Sequence, residues 1–283
     1  MRPGIAVNAA RCMACYACFM ACKDEHCGWA SALSAPQPHM GQFWMNIVEW
    51  ERGDSERRIK TATVPTPCSH CENPACMAAS KDGAVYKRDD GVVIIDPEKS
   101  KGQKAIVDAC PIHAVYWNEE LEIPQKCTMC AELLDDPDYP GFEPRCVEAC
   151  PNQALVYGDL DDPNSEVSKL IASQRVTPLE GLGNVKTQVV HLNVPSAFLA
   201  GTVYYPEEEE EVVIGAKVKV TCEECGKTFE TETNWAGDWE VEDLPRGKSF
   251  TVDITFPGYK PVQYKGERTD HDHYVAMTYL EKA

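Results

Sequence analysis

Four cysteines near the start of the chain, Cys12, Cys15, Cys18 and Cys22, are separated by two, two and three residues, and this run dictates what can be built around it. A loop so short can wrap three thiolates around a compact metal cluster but reaches a fourth corner poorly, so the closing thiolate has to come from another segment. Two distant stretches of chain must therefore meet. A second group, Cys68, Cys71 and Cys76, is spaced by two and four residues, and Cys110 stands alone before Pro111. Cys127, Cys130, Cys146 and Cys150 follow, with Pro151 after the last. Cys27 and the pair Cys222 and Cys225 complete the fifteen.

Cysteines at such short spacings in an acidic chain point to metal rather than to a disulfide framework. The net charge is −18, and both halves are acidic, which repels phosphate backbones and argues against nucleic-acid binding. No apolar run approaches the roughly 18 residues of a membrane span. No apolar signal core precedes Cys12, so the cytoplasm is the expected location unless a partner carries the chain out. The glutamates 207–211 are expected to form a solvated loop.

In two-cluster ferredoxins the last cysteine of a C-x2-C-x2-C-x3-C-P run closes the neighbouring cluster. The same exchange here gives cluster A on Cys12, Cys15, Cys18 and Cys150, and cluster B on Cys127, Cys130, Cys146 and the returning Cys22. An Asp- and Pro-rich loop separates Cys130 from Cys146. Cluster C is complete on Cys68, Cys71, Cys76 and Cys110. A fourth cluster would have used Ser80 and, counting back from Cys110 by the same spacing, Ile106, Gln103 and Ser100. All four of its ligands are absent and none of the other twelve is. Three [4Fe–4S] clusters are therefore the expected cofactors.

Structural zinc is the rival reading, a zinc-stabilised interaction module, because Cys127, Cys130 and Cys146 fall within ribbon spacing. The run of group one gives zinc no natural closed site. Cys27 is expected to be a thiol outside the clusters, and Cys222 with Cys225 either two thiols or a labile disulfide. His39, His70 and His113 lie near cluster cysteines and are expected to pack or to bond around them. Trp44, Trp50, Tyr116 and Trp117 are expected to shield clusters from water.

The fold expected is α+β, with two interleaved ferredoxin-like [4Fe–4S] domains followed by a C-terminal antiparallel β-sandwich of immunoglobulin or transthyretin type. The iron–sulfur region would span 1–158, with an outer part at about 1–30 plus 120–158 and an inner part at about 60–119. A linker would follow at 159–196 and the sandwich at 197–283. Strand-like stretches follow each Cys-Pro, and Asp89-Asp-Gly marks a hairpin turn. Residues 98–109 read as one short helix. A second would run to Arg175, capped by Asn164 or Ser165. From Ala197 onward, alternating runs such as Ala216-Lys-Val-Lys-Val-Thr and Phe250-Thr-Val-Asp-Ile-Thr-Phe read as strands.

Several stretches carry a family resemblance: Phe43-Trp-Met-Asn-Ile, Thr66-Pro-Cys-Ser-His-Cys-Glu-Asn, Asp90-Gly-Val-Val-Ile-Ile-Asp-Pro-Glu-Lys and Gln125-Lys-Cys-Thr-Met-Cys-Ala-Glu-Leu-Leu-Asp-Asp. They resemble the iron–sulfur small subunits of the molybdopterin, dimethyl-sulfoxide-reductase superfamily. The likeness is greatest to the three-cluster small subunits of pyrogallol–phloroglucinol transhydroxylases and related phenol hydroxylases and dehydroxylases. The resemblance implies a large partner carrying molybdenum or tungsten on two pterin guanine dinucleotides, where a phenolic substrate reacts. It also leaves room for a formate, sulfur-compound or arsenic oxidoreductase as partner. No catalytic motif appears in this chain, so electron transfer is its expected role.

Overall fold

The computed structural model describes residues 1–55, 58–138, 141–206 and 211–283, so most of the acidic stretch 207–211 lies outside the described residues. The chain forms two compact units, Met1–Glu49 with Thr63–Val194, and Trp50–Ala62 with Pro195–Ala283. Among the described residues no helix is long and apolar enough to cross a membrane.

The first unit opens with β1 (Pro3–Asn8), which leads into the first cysteine loop and α1 (Ala17–His26). The long strands β2 (Met45–Ser55) and β3 (Arg58–Pro67) pair with each other, and residues 50–62 of the pair belong to the second unit. They are followed by α2 (Ala75–Ala78), β4 (Val85–Lys87), β5 (Val93–Ile95), α3 (Ala105–Asp108), β6 (Tyr116–Asn118) and β7 (Ile123–Gln125). Then come α4 (Ala131–Leu134), α5 (Arg145–Glu148), β8 (Leu155–Asp159), α6 (Glu166–Ser173) and β9 (Val189–Leu192). β1 is the central strand of a three-stranded sheet, antiparallel to β8 and parallel to β9. All six β1 residues are buried. β4 and β5 form a hairpin across Asp89-Asp-Gly91, whose glycine holds φ at +89°, a conformation that strains an L side chain. β6 and β7 form a second hairpin.

The helices are short because cysteine loops and prolines interrupt them. α2 and α5 each start directly after a proline, Pro74 and Pro144, and run for one turn. The helix expected over 98–109 is only α3, Ala105–Asp108. Gly102, at φ +77°, turns the chain and donates its N–H to Glu122 O, so helical bonding cannot propagate through it. α6 starts where expected, with Ser165 Oγ accepting from Ser168 N at 3.2 Å.

In the second unit, β10 (Ala197–Tyr204) lies between β13 (Asp238–Leu244) and β16 (His273–Tyr279). A four-stranded antiparallel sheet is ordered β12 (Thr228–Glu232), β11 (Lys217–Cys222), β14 (Ser249–Thr255), β15 (Val262–Arg268). One apolar cluster, including Leu199, Val203, Trp239, Val220, Phe250 and Ile254, draws residues from both sheets. The expectation of a wholly antiparallel domain needs one correction: β10 and β16 are parallel. The chain leaves β15 in one sheet and enters the free edge of β10 in the other, a crossover that brings β16 in along the direction of β10.

Candidate metal centres

In each of the three cysteine-rich groups the first Cys-x-x-Cys loop contains a residue in a conformation that L side chains rarely adopt. Ala14, His70 and Met129 each directly precede the second cysteine, and each has positive φ, between 45° and 61°. This left-handed kink folds two thiols to the same side of the loop. Each Cys-Pro is followed by a second shared turn. His113 and Gln153, three residues past Cys110 and Cys150, are also left-handed. The next amide points back at sulfur, Ala114 N to Cys110 Sγ at 3.3 Å and Ala154 N to Cys150 Sγ at 3.2 Å. The repeat seen in the sequence is thus also a repeat of backbone conformation.

These loops bring the twelve thiols together in the first unit, eight of them around two small cavities. Cys12, Cys15, Cys18 and Cys150 line one small cavity, walled by Tyr16, Ile47, Pro65 and Leu155. Cys68, Cys71, Cys76 and Cys110 line another, walled by Val93, Ile112, Val115 and Leu182. Gly181 lets the segment around Leu182 close over it, because a Cβ there would sit 2.7 Å from Pro111 O. Cys22, Cys127, Cys130 and Cys146 make up a third group in the core of the unit, near enough for their charges to act on one another, with Cys18 and Cys68 also acting on its members. Cys18 and Cys22 lie four residues apart on one face of α1, so the helix feeds both the first and the third set.

Burial pushes the thiols up: Cys18 and Cys127 to about 12, and Cys71 and Cys76 to about 11, with neighbouring thiolates adding to the rise. Cys22, Cys130 and Cys146 are raised further, again chiefly by burial. Four buried thiolates repel one another unless a cationic core neutralises them. The donor set therefore fits a thiolate-ligated iron cluster, whose binding would drive deprotonation.

The four positions counted for a fourth cluster make other contacts. Ser80 Oγ donates to Met77 O at 2.8 Å. Gln103 accepts from Lys81 N at 2.8 Å and donates to Lys99 O at 2.8 Å, tying together the two segments that would have shared a cluster. Ile106 is fully buried against Ala84, Val85, Ile95 and Val115, and Ser100 is also fully buried. The turn itself persists: Gly83, three residues past Ser80, keeps positive φ at the place of His113 and Gln153.

Two residues around the cysteines were not anticipated from the sequence. His26 is buried, with Nε2 3.6 Å from Cys130 Sγ and Nδ1 3.2 Å from Glu132 Oε1, and burial pushes its ring down to about 4. Its only trace in the sequence is its place one turn beyond Cys22 on α1. Lys126 is 3% exposed, its ammonium donating to Val93 O and to Cys127 O, and its charge acts on Cys76, Cys110 and Cys127.

His70 is fully buried and accepts from Val93 N through Nδ1 at 3.1 Å. His39 lies 3.2 Å from Cys27 Sγ, and His113 contributes its left-handed turn. Trp44 is buried 4.9 Å from the His26 ring. Tyr116 is pushed up to about 12 by burial and by Cys110 and Cys22. Trp117 turns outward instead, bonded to Glu119 with Lys104 over its ring, and Trp50 belongs to the second unit. Cys222 and Cys225 are joined as a disulfide.

This constellation defines an iron–sulfur protein carrying [4Fe–4S] clusters, and residues 59–160 match the family described as a 4Fe-4S dicluster domain. The pyrogallol hydroxytransferase small subunit of Pelobacter acidigallici is 36% identical over 263 residues, covering 89% of this chain and 90% of that one. A putative dimethyl sulfoxide reductase iron–sulfur subunit of Halobacterium salinarum is 33% identical, covering 60% of this chain and 70% of that one. A sulfite dehydrogenase subunit of Allochromatium vinosum is 36% identical, covering 56% of this chain and 68% of that one. The chain belongs to the family of iron–sulfur small subunits of molybdopterin oxidoreductases that includes the pyrogallol hydroxytransferase small subunit. It is a non-catalytic, electron-transferring subunit of an oxidoreductase.

Proposed function

We propose that the chain holds three [4Fe–4S] clusters and conducts electrons to or from a large subunit carrying molybdenum or tungsten on two pterin guanine dinucleotides, which acts on a phenolic aromatic. Cluster A would rest on Cys12, Cys15, Cys18 and Cys150, cluster B on Cys127, Cys130, Cys146 and Cys22, and cluster C on Cys68, Cys71, Cys76 and Cys110. What supports this reading is that Cys12, Cys15, Cys18 and Cys150 line one cavity and Cys68, Cys71, Cys76 and Cys110 another, that Cys22, Cys127, Cys130 and Cys146 lie near one another, and that Gln103 and Ile106 stand at two of the positions counted for a further cluster.

The electrostatics support a wire in the order A, B, C. Cys22 and Cys146 of set B feel Cys18 of set A, and Cys127 of set B feels Cys68 of set C. Ile106, at one of the four vacated positions, packs with Cys68, Cys76 and Cys110 of set C, which supports a loss at the end of the wire. The sequence boundaries proposed are 1–158 for two interleaved ferredoxin-like halves, 159–196 for the linker and 197–283 for an immunoglobulin- or transthyretin-like sandwich. A phenolic substrate is favoured because the match to the Pelobacter protein covers nine-tenths of the chain and so extends into the second unit. The sulfur-compound relatives match 56% to 74% of it.

Anaerobic purification followed by iron and sulfide analysis and a search for a co-purifying subunit tests the proposal. Roughly twelve irons per chain, together with a large pterin-bearing partner that turns over phenols, is the expected result. A stable lone chain holding all its clusters, or a partner active only on sulfur compounds, would refute the assignment.

A further inference from the structure

A cluster of possible metal ligands lies in the second unit, on residues the cysteine chemistry does not use. Asp54, near the end of β2, directs its two carboxylate oxygens at different partners. Oδ1 accepts from Tyr274 N at 2.9 Å, which fixes the plane of the group. Oδ2 faces His273 Nδ1 at 2.6 Å and His271 Nε2 at 3.6 Å. The three donor atoms all lie within 4.8 Å of one another. The far nitrogen of His273, Nε2, faces Glu267 Oε2 at 3.0 Å. Between the two histidines, Asp272 turns inward to pair with Arg52, so both imidazoles are left on the same side of the chain.

We propose that Asp54, His271 and His273 form a divalent transition-metal site of zinc type, with Glu267 as the outer partner that orients His273. Two imidazoles and one carboxylate are a borderline nitrogen–oxygen set that suits zinc and its neighbours, whereas calcium and magnesium call for oxygen throughout. An imidazole whose distal N–H is held by a carboxylate, and a carboxylate whose second oxygen is held by an amide, are the outer contacts such sites use to aim their ligands. His271 is 66% exposed, so the site is open to loading, and the fourth position would fall to water. The ion would clip the end of β2 to the start of β16, residues 219 apart in the chain, and so close a very long loop.

The competing account is a plain hydrogen-bonded cluster, with His273 held between Asp54 and Glu267 and no metal. The full chain, purified anaerobically with its clusters and any subunit that accompanies it, is loaded with Zn2+, dialysed into metal-free buffer and analysed for zinc and iron. About one zinc per chain is expected. It should be lost in His271→Ala and in Asp54→Asn, while iron stays at the parent level. Glu267→Gln should weaken zinc binding by about ten- to a hundredfold. A Cys222→Ser, Cys225→Ser variant should keep the zinc. Absence of bound zinc in the parent chain, or zinc that survives His271→Ala and disappears with the Cys222–Cys225 pair, would overturn the site.

Discussion

Replacing Ile106 with alanine should weaken the first unit by about 3–4 kcal/mol and speed the loss of cluster C. Ile106 sits where a cluster ligand would have stood, yet it is fully buried, packed with Ala84, Val85, Ile95, Ala114, Val115 and the thiols of Cys68, Cys76 and Cys110. The substitution removes three carbons, about 2.4 kcal/mol of transfer free energy at ~0.8 kcal/mol each. The cavity left behind adds roughly another kilocalorie, because α3 and the facing α2 are anchored by cysteine loops and collapse little. Ser80 is the contrasting case at another vacated position: its single bond is at the surface, so Ser80→Ala should stay within about 0.5 kcal/mol of the parent. The assay is anaerobic denaturant titration, following the far-ultraviolet signal for the fold and bleaching of the visible iron–sulfur absorption for the clusters. If Ile106→Ala and Ser80→Ala were indistinguishable, the vacated site would be a passive remnant, and the claim that side-chain packing replaced the cluster would fail.

Cys110→Ser should remove roughly one third of the iron and leave clusters A and B spectroscopically intact, whereas iron at the parent level would refute the ligand set proposed for C. Lys126→Met should lower the potentials of clusters B and C by roughly tens of millivolts in a redox titration, because a buried cation beside their thiolates favours the reduced, more negative state. Burial pushes the His191 ring down to about 4 while its Nε2 donates to Pro65 O at 2.9 Å. The unfolded chain therefore takes up this proton first. The contribution is intact above about pH 6.5 and is lost as the pH falls towards about 4, by about 3 kcal/mol, and His191→Gln should flatten that part of the stability profile. Arg52→Met should destabilise the second unit by about 3–5 kcal/mol, because Asp272, 5% exposed and held by Arg52 at 3.1 Å, would lose its main counter-charge. An Arg52→Met, Asp272→Asn double variant should recover part of that loss in thermal unfolding.

The hairpin at Asp89-Asp-Gly91 and the cap at Ser165 were legible in the amino-acid order because each rests on a local spacing or on the chemistry of a single residue, and the proposed cysteine sets are read from spacing in the same way. The edge strands β12 and β15 were not. Their outward-facing glutamates, lysine and arginine mask the alternation that marks a buried strand, and charge at an edge is what keeps such strands from pairing with other chains. The β2–β3 pair escaped for the same reason, with arginines and glutamates along strands of ten and eleven residues.

The order of residues alone supplies the proposal of which thiols share a cluster and which cluster is missing, since a short loop reaches only three corners and the spacing can be counted. What stands around the sulfurs is fixed by folding in three dimensions. His26 and Lys126 carry no motif, and each takes its place through packing between segments about a hundred residues apart, or some thirty in the case of Lys126 and Val93. The same holds for Asp54 and His273. Their meeting depends on strand direction and crossover in the second unit, and no local pattern of residues encodes it.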